Sequence, residues 1–115
     1  MTTRTNLQSA NPISKLTDAD RMVHKAKRAA EFLKALAHKN RLMILCILSQ
    51  GEKSVSELER LLSLRQPTVS QQLARLRMDG LVAARRHGKT IFYSLASEEA
   101  RVVVGALYEA FCGKK

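Results

Sequence analysis

At 115 residues the chain has room for one domain and not two. Its hydrophobic content of 45%, with only 4% aromatic residues, is enough for a compact core built mainly of leucine. A formal charge of +10, from 20 Lys and Arg against 10 Asp and Glu, suits a polyanionic partner, although charge alone does not separate DNA from RNA or anionic lipid.

Residues 1–16 are rich in Thr, Asn and Ser without a sustained period and read as a loose N-terminal arm. The polar start MTTRTNLQSANP lacks the apolar stretch of a secretory signal. The longest apolar run, residues 42–48, is far shorter than the roughly 20 residues needed to cross a bilayer. The expected setting is the reducing cytoplasm, away from the membrane, with both cysteines as thiols.

From residue 17 a single domain is expected to run to residue 112. Thr17 followed by Asp20 marks a helix start, and Met22, Ala26, Ala29, Ala30, Leu33 and Leu36 follow at helical spacing, which predicts a helix over about residues 18–37. A break near residues 38–40 precedes a second apolar helix over residues 41–49, stopped by Gly51.

Ser54 opens the segment SVSE, in which its hydroxyl can cap the Glu57 amide while the Glu57 carboxylate returns to the Ser54 amide. After LERLLSL comes RQPTVSQQLARLRMDGL. Pro67 is tolerated only in a first turn, Val69, Leu73 and Leu76 recur on one side, and Gly80 ends the helix, expected over about residues 66–79. The other side carries Thr68, Ser70, Gln71, Gln72 and Arg75. Gln can bond an adenine edge through both ends of its amide, Ser and Thr adapt to several bases, and Arg holds guanine or phosphate. Arg65 and Gln66, where the helix begins, complete the candidate DNA-reading set.

Two strand-like runs, residues 81–86 and 90–95, are separated by His87, Gly88 and Lys89, giving a hairpin over about residues 81–95. Arg85, Arg86 and Lys89 make it basic, and such cations supply affinity and register along a backbone or minor groove more than sequence choice. Ser97, Glu98 and Glu99 then start a last helix over residues 97–112, with Val102, Val103, Ala106, Leu107, Ala110 and Phe111 as its apolar side. The fold expected is mainly α with a β-hairpin, a winged helix-turn-helix flanked by a helix at each end. Those two helices carry more apolar surface than so small a fold can cover, so a homodimer through them is expected, with two reading helices roughly 34 Å apart on duplex DNA.

FLKALAHKNRLMILCIL, SVSEL, QPTVSQQLARLRMDGLV and RRHGKTIFYSL resemble, in order and spacing, the ArsR family of bacterial winged-helix repressors, over residues 30–112. The resemblance implies a homodimer that holds double-stranded operator DNA until an inducer, often a metal ion, loosens it. It places Thr68, Ser70, Gln71 and Gln72 at the base-facing positions. Arg65 departs from the pattern, since the family usually has a Ser there that caps the reading helix. An Arg cannot cap in this way but can reach a phosphate.

A metal inducer needs several Cys or His at close spacing. The third helix, where many relatives carry Cys-x-Cys, reads here Val55, Ser56, Glu57, Leu58 and Glu59. The last offers Glu98, Glu99 and Glu109 without a His, and His24, His38 and His87 are scattered over different elements. Neither a metal site nor a cofactor is expected. The absence of a C-x-x-C and of any cofactor motif argues equally against an enzyme.

Cys46 and Cys112 remain. Within MILCIL, Cys46 on composition alone reads as a small core hydrophobe. Cys112, near Lys114 and Lys115, is at the chain end, where cations favour a thiolate and the helix C-terminus opposes it. As a pair, the two positions resemble the thiol-based branch of the ArsR family, the persulfide-responsive SqrR and BigR repressors and their relative HlyU. That resemblance implies that Cys46 and Cys112 are sensors joined within a subunit by persulfides or polysulfides, as a disulfide or a longer sulfur bridge, with release of the operator of sulfide-response genes. It leaves open an activating, anti-silencing role like that of HlyU, and a metal- or general-oxidant-responsive repressor.

Overall fold

The computed structural model describes residues 17–113. The elements in chain order are α1 (Asp18–Leu36), α2 (Lys39–Leu48), β1 (Lys53–Ser54), α3 (Val55–Leu62), α4 (Gln66–Met78), β2 (Val82–His87), β3 (Thr90–Leu95) and α5 (Glu98–Tyr108), which runs into a wider π-helical turn, Glu109–Gly113. The arm expected over residues 1–16 and the two terminal lysines lie outside the described residues. None of the described helices is long and apolar enough to cross a membrane.

The chain divides into two compact units, Met1–Lys34 and Ala35–Lys115. In the first, α1 starts on the expected reciprocal cap. The Asp20 amide donates to Thr17 Oγ1 at 3.0 Å and the Thr17 amide to Asp20 Oδ2 at 3.3 Å. Of the apolar side expected for this helix, only Leu36 is buried; Met22 and Leu33 are 66% and 54% exposed, and so are the alanines between them.

In the second unit, His38 caps α2 by accepting the Asn40 amide on Nδ1, which requires a neutral ring at that nitrogen. The box at α3 forms in both directions, Glu57 amide to Ser54 Oγ at 3.2 Å and Ser54 amide to Glu57 Oε1 at 2.8 Å. The Ser54 amide bond also holds the Glu57 carboxyl below its ordinary pKa. Ser63 ends α3 in the left-handed region, φ 55°, and turns the chain toward α4. The next helix starts on Arg65 with Pro67 in its first turn and no side-chain cap.

The core forms where α4 packs on α2, α3 and β2, and where α5 packs on α2 and β3. Ile44, Leu45, Leu58, Val69, Leu73 and Leu76 are essentially sealed from solvent. Two features depart from the sequence reading. First, the hairpin is part of a three-stranded antiparallel sheet in the order β1-β3-β2, because Lys53 and Ser54 pair with Tyr93 and Phe92. His87 belongs to β2, so the turn narrows to Gly88 and Lys89, with Gly88 at φ 65° as such a tight turn demands. Second, α5 meets the core through Ala100 and Val104, with Val103 and Leu107 half-buried, whereas Val102 and Phe111 are 61% and 81% exposed and Ala106 and Ala110 also face outward. The helix has two apolar sides, and the sequence pattern merged them into one.

Candidate DNA interface and thiol pair

Along α4 the buried stripe Val69, Leu73 and Leu76 fixes which side faces out. Arg65, Gln66, Ser70, Gln71 and Arg75 are exposed, whereas Thr68 and Gln72 are half-buried. Arg75 spends one donor on Asp79 Oδ2 at 3.1 Å, and Gln72 Oε1 accepts from Arg41 Nη1 at 3.3 Å. Gln66, Ser70, Gln71 and Arg77 are thus the polar side chains of this helix that are both exposed and uncommitted among the described residues, and Ser70 and Gln71 lie in its middle.

On the hairpin, Arg85, Arg86 and Lys89 are all exposed, but their situations differ. Arg85 reaches back to Glu52 in a two-pronged bridge, Nη2 to Oε1 at 2.8 Å and Nε to Oε2 at 2.9 Å, and lies over the Phe92 ring at 5.2 Å from its centroid. The Arg85 hydrogen bond is the main reason the Glu52 carboxyl sits below its ordinary pKa, and the same bond raises that of Arg85. This planar fork suits a carboxylate better than a point charge would. Arg86 and Lys89 have no such partner among the described residues.

Between α4 and β3 an open hollow of about 440 Å³ is lined by Ser70, Ala74, Arg77, Met78 and Tyr93. The sequence reading passed over four of these five. Ala74 and Met78 recur at helical spacing from Ser70, a signal that was available; Tyr93 is brought there only by the sheet.

The thiols sit on neighbouring elements. Cys46 is half-buried on α2, and Cys112 is exposed in the π-helical turn that follows α5, which itself packs on α2. Burial is the main cause that pushes the Cys46 thiol up from its ordinary pKa, and Cys112 adds to it. Beside them, the Ser49 hydroxyl donates to the Cys46 carbonyl at 2.6 Å. Among the described residues no group of three His, Cys, Asp or Glu is placed to hold a metal ion.

A reading helix with an uncapped start, a basic hairpin and a helix at each end is also the layout of known regulators. The profile described as "Bacterial regulatory protein, arsR family" matches residues 38–84. The biofilm growth-associated repressor of Agrobacterium fabrum is 53% identical over 91 residues, which are 79% of this chain and 78% of that protein. The chain belongs to the ArsR family. Another ArsR-type relative, the transcriptional activator HlyU of Vibrio cholerae, is 43% identical over 91 residues, 79% of this chain and 84% of HlyU. The crystal structure of the transcriptional repressor BigR from Xylella fastidiosa superposes with a TM-score of 0.78 at 45% identity, covering 84% of this chain and 98% of BigR. As an ArsR-family member, the chain is a transcriptional regulator with a winged helix-turn-helix for duplex DNA.

Proposed function

We propose that this regulator is a homodimeric repressor that releases operator DNA when reactive sulfur species link Cys46 to Cys112 within one subunit. The observation that carries the reading is the thiol pair itself: Cys46, half-buried on α2, and Cys112, exposed in the turn that continues α5, the helix that packs on α2. The relatives named as repressors favour repression. The exposed Met22, Val23 and Leu33 of α1 and Val102 and Phe111 near the chain end supply apolar surface for a two-fold partner. A two-sulfur bridge needs Cα atoms about 4.4–6.8 Å apart, so a wider pair selects bridges with added sulfur. Closing the bridge ties the last turn to α2 and shifts the helices that set the spacing of the two reading heads.

The test is to treat reduced protein with an organic persulfide, hydrogen peroxide or zinc in parallel and to read intact mass and DNA affinity on each. A Cys46–Cys112 crosslink carrying added sulfur, together with lost binding, is the expected result. Release by zinc alone, or by nothing, returns both cysteines to structural roles. A second reading, activation by displacing a silencer, is favoured by the 43% identity to the activator HlyU. Deleting the gene distinguishes them, since target transcription rises for a repressor and falls for an activator.

Accessibility and pKa together set an order of attack. Cys112 is expected to be alkylated well before Cys46 at neutral pH, and the Cys46 rate to keep climbing at pH above the ordinary thiol range, because its burial disfavours the thiolate. A time course of iodoacetamide labelling read by peptide mass checks this; equal rates would contradict it.

In the DNA complex, Ser70 and Gln71 face the bases. Gln71→Ala is expected to cost about 1–3 kcal/mol on preferred DNA and little on random duplex. Arg86→Ala and Lys89→Ala should each flatten the salt dependence of binding by about one phosphate contact. Arg85→Ala should leave that slope nearly unchanged, since its charge already faces Glu52. Titrations at several salt concentrations separate these outcomes, and a slope that drops for Arg85→Ala would make it a phosphate contact after all.

A further inference from the structure

The guanidinium of Arg41 stands between two oxygen acceptors on different elements. Its Nε donates to the Ala35 carbonyl at 2.6 Å, and its Nη1 donates to Gln72 Oε1 at 3.3 Å. Ala35 lies in the last turn of α1, where carbonyls lack an intrahelical partner and a cation meets the negative end of the helix dipole. Arg41 itself is in the first turn of α2, the helix that carries Cys46, and both Arg41 and Gln72 are half-buried. One side chain therefore joins the end of α1 and the start of α2 to the middle of the reading helix.

A glutamine that reads adenine presents its oxygen and its amide to the base at the same time. The oxygen of Gln72 is already held by a cation, whereas among the described residues its exposed neighbour Gln71 has both ends of its amide without a partner. We propose that Gln72 does not read a base but forms, with Arg41, a strut that sets the rotation of α4 about its own axis, and that Arg41 is the positioning residue through which a displacement of the Ala35 carbonyl reaches Ser70 and Gln71. This rests on α4 being the DNA-reading helix and is independent of which inducer acts. The planar fork of Arg serves two acceptors in fixed directions, which the point charge of Lys does not.

The test selects preferred sites from random-sequence duplexes with reduced, full-length protein, then measures affinity for the enriched duplex and for a scrambled one. Because the strut acts through Ser70 and Gln71, Gln72→Ala and Arg41→Met are each expected to weaken the enriched duplex about tenfold, the size of one hydrogen bond from a charged donor, and the scrambled duplex less. Their preferred sequence should stay that of the wild type, and the double variant should bind no worse than either single one. Gln72→Glu keeps an acceptor for Arg41 but loses the amide donor, so it should bind within about threefold of wild type with the same preference. Gln71→Ala provides the contrast, changing the preference at one position. Thermal melts on every variant identify any that fails to fold, and in that event Gln72→Glu alone decides. The strut is overturned if Gln72→Ala or Gln72→Glu shifts the preferred base, if Gln72→Glu falls as far as Gln72→Ala, or if the two single losses add. A wild-type chain that enriches no sequence sinks the DNA-reading role of α4, and the strut with it.

Discussion

Serine in place of Cys46 or Cys112 is expected to leave DNA binding by the reduced protein intact and to abolish its loss on treatment with persulfide. Each substitution removes one sulfur, so no bridge within the subunit can close, whereas the oxygen that replaces it costs little: Cys112 is exposed and Cys46 is only half-buried. The wild-type response should amount to about 5-fold to 150-fold in affinity, the usual range of coupling between two sites. Fluorescence anisotropy on the same duplex before and after treatment measures it. Release that survives in both single variants would remove the thiol pair from the switch and leave the exposed Cys112 as a bystander. Release that survives only in Cys46→Ser would reduce the sensor to Cys112 alone.

The largest effect on stability is expected at Leu73. Its side chain is 1% exposed and faces the core from the middle of α4, where that helix meets α2, α3 and β2. Leu73→Ala deletes buried methyl groups and leaves a cavity that the surrounding helices fill only in part, a loss of about 3 kcal/mol or more. Against a total stability of about 5–15 kcal/mol that is a large share. The melting midpoint should fall by about 10–20 °C, given the usual sensitivity of a domain this size. Calorimetry or urea unfolding checks the figure. Substituting Ala for the exposed Met78 on the same helix, at 84% exposure, should change stability by no more than about 0.5 kcal/mol. A similar loss at both positions would mean that α4 does not bury the side described.

Much of this architecture is legible in the sequence because it is decided locally. The box at Ser54 and Glu57 needs only four consecutive residues, and it forms with the expected partners. The same holds for Thr17 with Asp20 and for the buried stripe of α4, where period and chemistry agree. Arg65 starts α4 without a side-chain bond, as its chemistry dictates.

What the sequence hides is decided at a distance. Two residues of β1 are too few to show an alternating pattern, and their strand character exists only in pairing with Tyr93 and Phe92. Nothing near Arg85 announces that Glu52 will claim it. In a list of cations it looks like its neighbour Arg86, yet among the described residues one is bridged and the other is not. Likewise Gln71 and Gln72 are the same residue type side by side, and only the position of Arg41 separates them. On α5 the period is visible, but which apolar side meets the core depends on the approach of α2 and β3. Val102 and Phe111 therefore stay exposed while Ala100 and Val104 are sealed. For the cysteines, the residues alone do not show that α5, which leads to Cys112, packs on α2, which carries Cys46; the fold does.

The π-helical turn at Glu109–Gly113 makes the spacing of this segment matter as much as its composition. Each residue of an α-helix advances the chain by about 100° around the axis, so removing or adding one residue between Tyr108 and Cys112 would swing the thiol to a different side. Charge, hydropathy and the sealed contacts of Ala100 and Val104 would all be preserved. A relative with both cysteines but one residue fewer in this stretch would therefore match this chain at every functional letter and still aim its terminal sulfur elsewhere.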